Sequence, residues 1–284
     1  MRLHISFDLR HNIELPFDHH HALQACIYAA VGRANSAYAS FLHDRGYAER
    51  EDSVKTSKLF CFGGLRAPAE NRTITANGIR YESGPINWDL ASPSGVLEEL
   101  LACNVLQPGS HLNIHSAELI IRHIRCDPSP PSADNSPYRC LSPIVAARGR
   151  PDGTTEYLRP DDPEFSQTVR ANLLWKHRVM YGNEPQDSQF EMRFSQSYLQ
   201  NPRSRGGTRL INYKGIRLVG ALAPFILTTS PEMLKLAWEC GLGSRNSMGL
   251  GMVEAAGQSG QSSRYAGSNQ FERAPSALRT ASVL

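Results

Sequence analysis

Four glycines fall within one short stretch near the C-terminal end, Gly241-Leu-Gly243-Ser-Arg245-Asn246-Ser247-Met-Gly249-Leu-Gly251. Two Gly-Leu-Gly clamps flank five residues, four of them polar or basic. Glycine loses more backbone entropy on folding than any other residue, so such a cluster needs a compensating role. Two roles qualify: a main-chain path through positive φ, or close approach of a ligand to the backbone. A bare loop with open N–H groups suits phosphate or an RNA backbone. The loop follows a helical stretch, Ser230-Pro-Glu-Met-Leu-Lys-Leu-Ala-Trp-Glu239, and precedes a strand start at Met252-Val253. That order is the reverse of a dinucleotide fingerprint, and no Gly-Lys-Ser/Thr is present for an NTP loop. On the glycines alone, a structural turn outweighs a ligand loop.

Two α+β modules are traceable. In the first, alternation over Leu3 to Leu9 favours a strand. Helices follow over about 20–32 and 36–44, and Lys58-Leu-Phe-Cys-Phe62 reads as a compact apolar strand. Thr73-Ile74 and Ile79-Arg-Tyr81 suggest a hairpin about Asn77-Gly78. Pro93 to Ala102 reads as a helix capped by Ser92, and Leu112 to Ile124 as a returning strand. A turn- and proline-rich run, Asp127 to Pro137, marks the boundary. The second module opens with a strand at Ile144-Val-Ala-Ala147. An amphipathic helix follows over about 163–178, with Phe165, Val169, Leu173 and Leu174 on its apolar face. Phe190 to Phe194 alternates as a strand, Leu210 to Leu227 supplies one or two more, and the helix and glycine loop close the module. Strand–helix–strand–strand–helix–strand is the ferredoxin-like order. The expected division is residues 1–126, a linker over 127–140, residues 141–256, and a Ser/Gly/Ala/Gln/Arg tail over 257–284 whose default is disorder.

Composition excludes several classes. No run approaches the length of a membrane span, and charges and histidines occupy the place where a signal peptide needs an apolar run. The six cysteines are isolated, with no Cys-x-x-Cys, which favours reduced thiols in a cytoplasmic protein. The net charge of +3 hides an asymmetry: residues 1–164 carry 16 Lys and Arg against 20 Asp and Glu, whereas residues 165–256 carry 11 against 6. A basic second half suits a polyanion, and its densest part holds Arg203, Arg205, Arg209, Lys214 and Arg217. A solvated basic face is the plainer alternative.

The glycine loop resembles that near the C-terminus of the RAMP superfamily, and more narrowly that of the CRISPR-repeat endoribonucleases that cut precursor CRISPR RNA. The resemblance extends through Met1-Arg-Leu-His-Ile-Ser-Phe-Asp-Leu9, Leu15-Pro-Phe17, Leu23 to Val31, Tyr38-Ala-Ser-Phe41-Leu42-His43-Asp44, Lys58 to Phe62, Ser142-Pro-Ile144 and Lys176 to Gly182. It covers roughly residues 1–255, in order. It implies an α+β fold of two tandem ferredoxin-like (RRM-like) modules ending in the glycine-rich loop. The implied activity is metal-independent endonuclease cleavage of CRISPR precursor RNA within repeats to give crRNA. The partners it implies are precursor and product crRNA, with contacts to effector-complex subunits and a homodimer left open, and no membrane.

Cleavage by RNA's own 2′-hydroxyl needs a base, an acid for the leaving 5′-oxygen and a cation for the phosphorane. The nucleophile belongs to the substrate, so no metal or cofactor is expected. Histidine suits the proton transfers and lysine the charge. On sequence alone His43 is a helix-terminal histidine, Tyr28 a half-buried core tyrosine and Lys58 a strand-end lysine. The resemblance implies that His43 transfers protons, that Tyr28 joins it as a hydrogen-bond donor, and that Lys58 completes the site, with Arg50 and Lys55 as competitors for the cation role. It also implies RNA contact by the glycine loop (Gly241, Gly243, Gly249, Gly251) and its tip, Arg245, Asn246 and Ser247, with the Arg203–Arg217 stretch holding the repeat. His19-His20-His21 does not suit a metal, because successive helical residues point apart; a solvent-facing helix start is expected instead. The alternative is a non-catalytic RNA-binding subunit of the same superfamily. An RRM-like binder would need RNP-type stacking aromatics, which the strands lack, and a metal hydrolase is more distant still.

Overall fold

The computed structural model describes residues 1–95, 100, 105–115, 117–127, 130 and 136–256. Most of the helix expected over 93–102 and the whole tail over 257–284 lie outside the described residues.

The first sheet is built on β1 (Arg2–Leu9), whose alternation sends Leu3, Ile5, Phe7 and Leu9 into the core and His4, Ser6 and Asp8 to the other face. With β2 (Cys61–Phe62), β3 (Gly84–Ala91), β4 (His111–Ile114) and β5 (Ala117–Asp127), the spatial order is β2-β3-β1-β5-β4. Helix α1 (His20–Ala34) lays Leu23, Ile27, Ala30 and Val31 on the apolar face, at the spacing a helix stripe requires. The second sheet contains β6 (Ser136–Cys140), β7 (Phe190–Phe194), β10 (Phe225–Thr229) and β11 (Val253–Ala255), ordered β7-β10-β6-β11. Between β7 and β10 the chain inserts a hairpin, β8 (Thr208–Tyr213) and β9 (Ile216–Ala221). Helices α2 (Phe165–Tyr181) and α3 (Pro231–Cys240) pack into its core through Val169, Leu173, Met233, Leu236 and Ala237. Ser230 accepts from the Met233 amide and Pro231 follows it, so α3 starts with a capped first turn.

In each sheet the first and third strands of the ferredoxin-like order lie at the centre, flanked by the second and fourth. The protein is therefore a tandem pair of ferredoxin-like units. Among the described residues no helix is long and apolar enough to cross a membrane.

Three local expectations are corrected. The proline-rich stretch is not all connector, because β5 runs to Asp127 and Ser136–Cys140 pairs with both β10 and β11. The strand expected over Lys58–Phe62 shrinks to Cys61–Phe62, since Leu59 takes a left-handed φ of 51°. Ile144–Ala147 does not start the second sheet; Ile144 and Val145 make isolated bridges to Ala221 and Ser244. The Asn77-Gly78 hairpin is present, with Arg72–Ile74 paired to Gly78–Tyr81.

Arg2 joins the two units. It is fully buried, and its guanidinium donates to Val253 O and Trp238 O at 2.9 Å each while stacking 3.4 Å over the Trp238 ring. Substituting Arg2→Met leaves both carbonyls without their donor in a dry interface. The expected result is a loss of roughly 3 kcal/mol of unfolding free energy, read from urea denaturation.

Candidate active site

Tyr28, His43 and Lys58 come from separate segments and meet at one edge of the first unit. After α1, Asn35 accepts from the Tyr38 amide and starts a short helix, Ser36–Ser40. This runs directly into a π-helical turn, Phe41–Arg45, closed by Gly46 N donating to Phe41 O at 2.7 Å. Such a turn widens the helix, a feature common at functional sites. Leu42 stays in the core while the His43 side chain is 74% exposed. His43 Nδ1 lies 2.8 Å from Asp44 Oδ1. A carboxylate only accepts, so Nδ1 carries the proton and Nε2 of the neutral ring presents its lone pair. The Tyr28 ring meets the His43 ring edge-on at 5.7 Å and rests against Phe60 at 6.1 Å. Burial, with Tyr213 adding to it, raises the Tyr28 phenol to about 12, so it remains a donor.

Lys58 Nζ donates to the His43 carbonyl at 2.9 Å. Burial lowers its pKa, against a smaller upward pull from Asp44. The lysine crosses the backbone at Gly46, where φ is 74°. A Cβ there would meet Ser57 O at 2.7 Å and Lys58 Cδ at 2.9 Å. Of the competing cations, Lys55 lies over the Trp175 ring at 4.0 Å rather than against His43.

All four glycines of the C-terminal loop have positive φ, between 69° and 83°. Two also allow close main-chain passage: a Cβ on Gly243 would lie 2.4 Å from Val145 O, and one on Gly251 2.0 Å from Leu242 O. The loop wraps around an amine that the sequence reading missed. Lys176 is 2% exposed, and its Nζ donates to Gly241 O and Gly243 O at 2.8 Å and to Asn246 Oδ1 at 2.6 Å. Its signal in the sequence is a lysine three residues after Leu173, on the apolar stripe of α2. The three acceptors favour the charged form, but removal from water outweighs them and lowers the pKa to about 8.

Part of the loop's main chain is already engaged by the protein itself. The amides of Leu242, Ser244, Met248, Gly249 and Gly251 all donate to protein carbonyls. Asn246 is buried too, its amide nitrogen donating to Leu242 O and Leu250 O. Arg245 is the exposed side chain of the tip, and Ser247 is half-buried with its carbonyl held by Gln24 Nε2 at 2.6 Å.

The basic stretch is exposed at Arg203, Arg205, Arg209, Lys214 and Arg217. It does not form one strip. Arg217 pairs across the hairpin with Asn212 and Arg209 with Gly220, which puts the two arginines on opposite faces. The histidine triplet is not solvent-facing: His19 is buried with Nδ1 on Pro16 O at 2.7 Å, and burial lowers His20 to about 3. His21 turns towards His115 and Tyr213. Beside the cluster, a cavity of about 480 Å³ opens between Lys55–Lys58, α2 and the loop tip.

Residues 127–255 match the family model described as CRISPR associated protein Cas6, C-terminal. Over 256 residues the chain is 26% identical to the CRISPR-associated endoribonuclease Cas6 1 of Methanocaldococcus jannaschii, spanning 89% of this chain and 92% of that one. It is 25% identical over 245 residues to the CRISPR-associated endoribonuclease Cas6 of Pyrococcus furiosus, spanning 86% and 84%. Its fold superposes on a solved Cas6-related protein of Pyrococcus furiosus with a TM-score of 0.73, at 20% identity, over 91% of this chain and 99% of that one. The resemblance drawn from the sequence is borne out, and the tandem ferredoxin-like fold with it.

The pKa of Lys176 sets a sign for stability. The folded protein binds this proton more weakly than the unfolded chain, whose lysine keeps its ordinary 10.5. The penalty is full below about pH 8 and lifts as pH rises from there towards 10.5. Unfolding free energy measured across that window is expected to carry a rising contribution that Lys176→Met lacks, and the variant's loop amides over 241–251 are expected to exchange faster with deuterium.

Proposed function

Because residues 127–255 match the Cas6 C-terminal family model, we propose that the protein is a metal-independent endoribonuclease that cuts CRISPR precursor RNA within its repeats. The observation that carries this is the convergence of Tyr28, His43 and Lys58 in one accessible cluster beside the glycine loop. The substrate brings its own nucleophile, so side chains suffice for the remaining work. His43 Nε2 takes the proton of the 2′-hydroxyl, and Asp44 stabilises the imidazolium that results. The 2′-oxygen attacks the adjacent phosphorus, and the P–O5′ bond breaks. Lys58 faces the charge that builds on the phosphoryl oxygens. Tyr28, kept protonated by burial, donates a hydrogen bond to the phosphate or to the departing 5′-oxygen, which becomes a hydroxyl by taking a proton from solvent. The products are a 2′,3′-cyclic phosphate and a 5′-hydroxyl.

Arg245 and the exposed Arg203, Arg205, Arg209, Lys214 and Arg217 supply phosphate contacts that hold the repeat, which gives affinity without sequence choice. The glycines and Asn246 act behind them by shaping the loop.

The test is cleavage of the repeat RNA from the protein's own locus, in EDTA. Wild type is expected to make one cut, which His43→Ala slows by about 10²-fold or more and a 2′-deoxy sugar 5′ to the cut abolishes. Binding without a cut identifies a non-catalytic RNA-binding subunit instead, and dependence on added metal overturns the mechanism. Gly46→Ala tests the support of Lys58. Its methyl group forces Lys58 off the His43 carbonyl, so kcat is expected to fall while RNA affinity holds.

A further inference from the structure

The acid–base cluster leaves the adjoining cavity without a role. Its volume of about 480 Å³ is in the range of ligand sites. Lys58, the lysine that reaches His43, stands in its wall, so the cavity opens directly beside the reacting centre. The floor is α2. Trp175 lies there almost buried, and what covers its ring is the Lys55 ammonium at 4.0 Å. Burial lowers the Lys55 pKa, and Arg178 repels it. Three residues earlier on α2, Asn172 lines the same cavity. Its Oδ1 is buried and has no hydrogen-bond partner. A buried amide oxygen left unpaired is costly, and most such atoms in native proteins have a partner. Arg245 and Ser247 of the loop tip close the far side.

An aromatic face under a displaceable cation, an unpaired amide and a neighbouring catalytic edge define one kind of guest. We propose that this cavity receives a single unstacked base of the substrate RNA next to the scissile phosphate, stacked on Trp175 and paired at its edge with the Asn172 amide. Every base has a π-face for the indole, and its edge sets a donor beside an acceptor, the complement of an amide. On entry the base takes the place of Lys55 over the ring, and the released ammonium turns to a backbone phosphate. The inference rests on the endoribonuclease reading above and adds to it a pocket that positions one base. Holding one base there fixes the adjacent ribose against His43.

Asn172→Leu separates a reading role from a packing role. The substitution removes a carbonyl that has no partner, so the melting temperature of the free protein is expected to hold or rise, whereas a structural asparagine would lower it. Binding is then measured to the repeat RNA carrying a 2′-deoxy sugar at the mapped cut; where no cut is found, the unmodified repeat serves. A set of such RNAs carries one abasic site each. For wild type, one abasic position beside the cut is expected to weaken binding by about tenfold, the equivalent of about 1.4 kcal/mol. Asn172→Leu and Trp175→Ala lose a similar factor on intact RNA, and that abasic site then has little further effect. Abasic sites elsewhere weaken wild type and variants alike. Trp175→Phe keeps most of the affinity, and should Trp175→Ala not fold, Asn172→Leu decides the matter. If every abasic site acts equally on wild type and Asn172→Leu, the base pocket is overturned while cleavage by wild type leaves the nuclease reading standing. If wild type neither binds nor cuts the repeat, both are overturned.

Discussion

An ammonium group withdrawn from water and shared among three oxygens organises the functional edge of this protein. Lys176 sits on a largely apolar face of α2, and a bare cation there would be expelled or neutralised. It is retained because the chain bends around it. Gly241 and Gly243 turn their carbonyls inward, which their positive φ makes possible, and Asn246 adds its side-chain oxygen. The Asn246 amide nitrogen then bonds Leu242 O and Leu250 O, which ties the first glycine clamp to the second. The loop is thus a shell around a charge. It forms one wall of the cavity, where Arg245 and Ser247 stand.

The edge proposed to be catalytic is held by a second, lighter device. A π-helical turn ends the segment bearing His43, and Gly46 lets Lys58 pass close enough to grip the His43 carbonyl. The histidine is fixed through its main chain and through Asp44, while its reactive nitrogen faces outward. Core packing reaches only as far as Leu42 and Phe60. The separation suits the proposed role, since a proton-transfer group has to be steady in position and still open to a large polyanion.

Much of the fold was legible because local patterns and tertiary demands agree. The alternation of β1, the helical stretch from Ser230 and the Asn77-Gly78 turn each match the role they play. The four glycines were correctly read as needing a cause. That cause was both an unusual main-chain path and a ligand, but the ligand is the protein's own lysine. What failed depended on distance in the chain. Leu59 gives no sign of a left-handed kink, so Lys58 was placed on a strand it only precedes. The prolines of residues 128–137 masked the start of β6. Five cationic residues close in sequence looked like one patch, yet the hairpin register divides Arg209 from Arg217. Asn172 and Lys55 carry no pattern at all; only folding sets them over one cavity with Trp175.

Gln24 grips the loop tip through the Ser247 carbonyl, and it accepts from the Tyr213 hydroxyl of the inserted hairpin. Lys176 likewise holds the loop by the carbonyls of Gly241 and Gly243. Apart from Asn246, the grip falls on main-chain atoms, which every residue type provides. The side chains at positions 245 and 247 are therefore not needed to keep the loop in place. In the terms of molecular evolution, the scaffold and the side chains it displays are uncoupled. Descendants of such a chain can exchange what the tip presents, and on the proposed reading change the RNA they favour, without rebuilding the support beneath it.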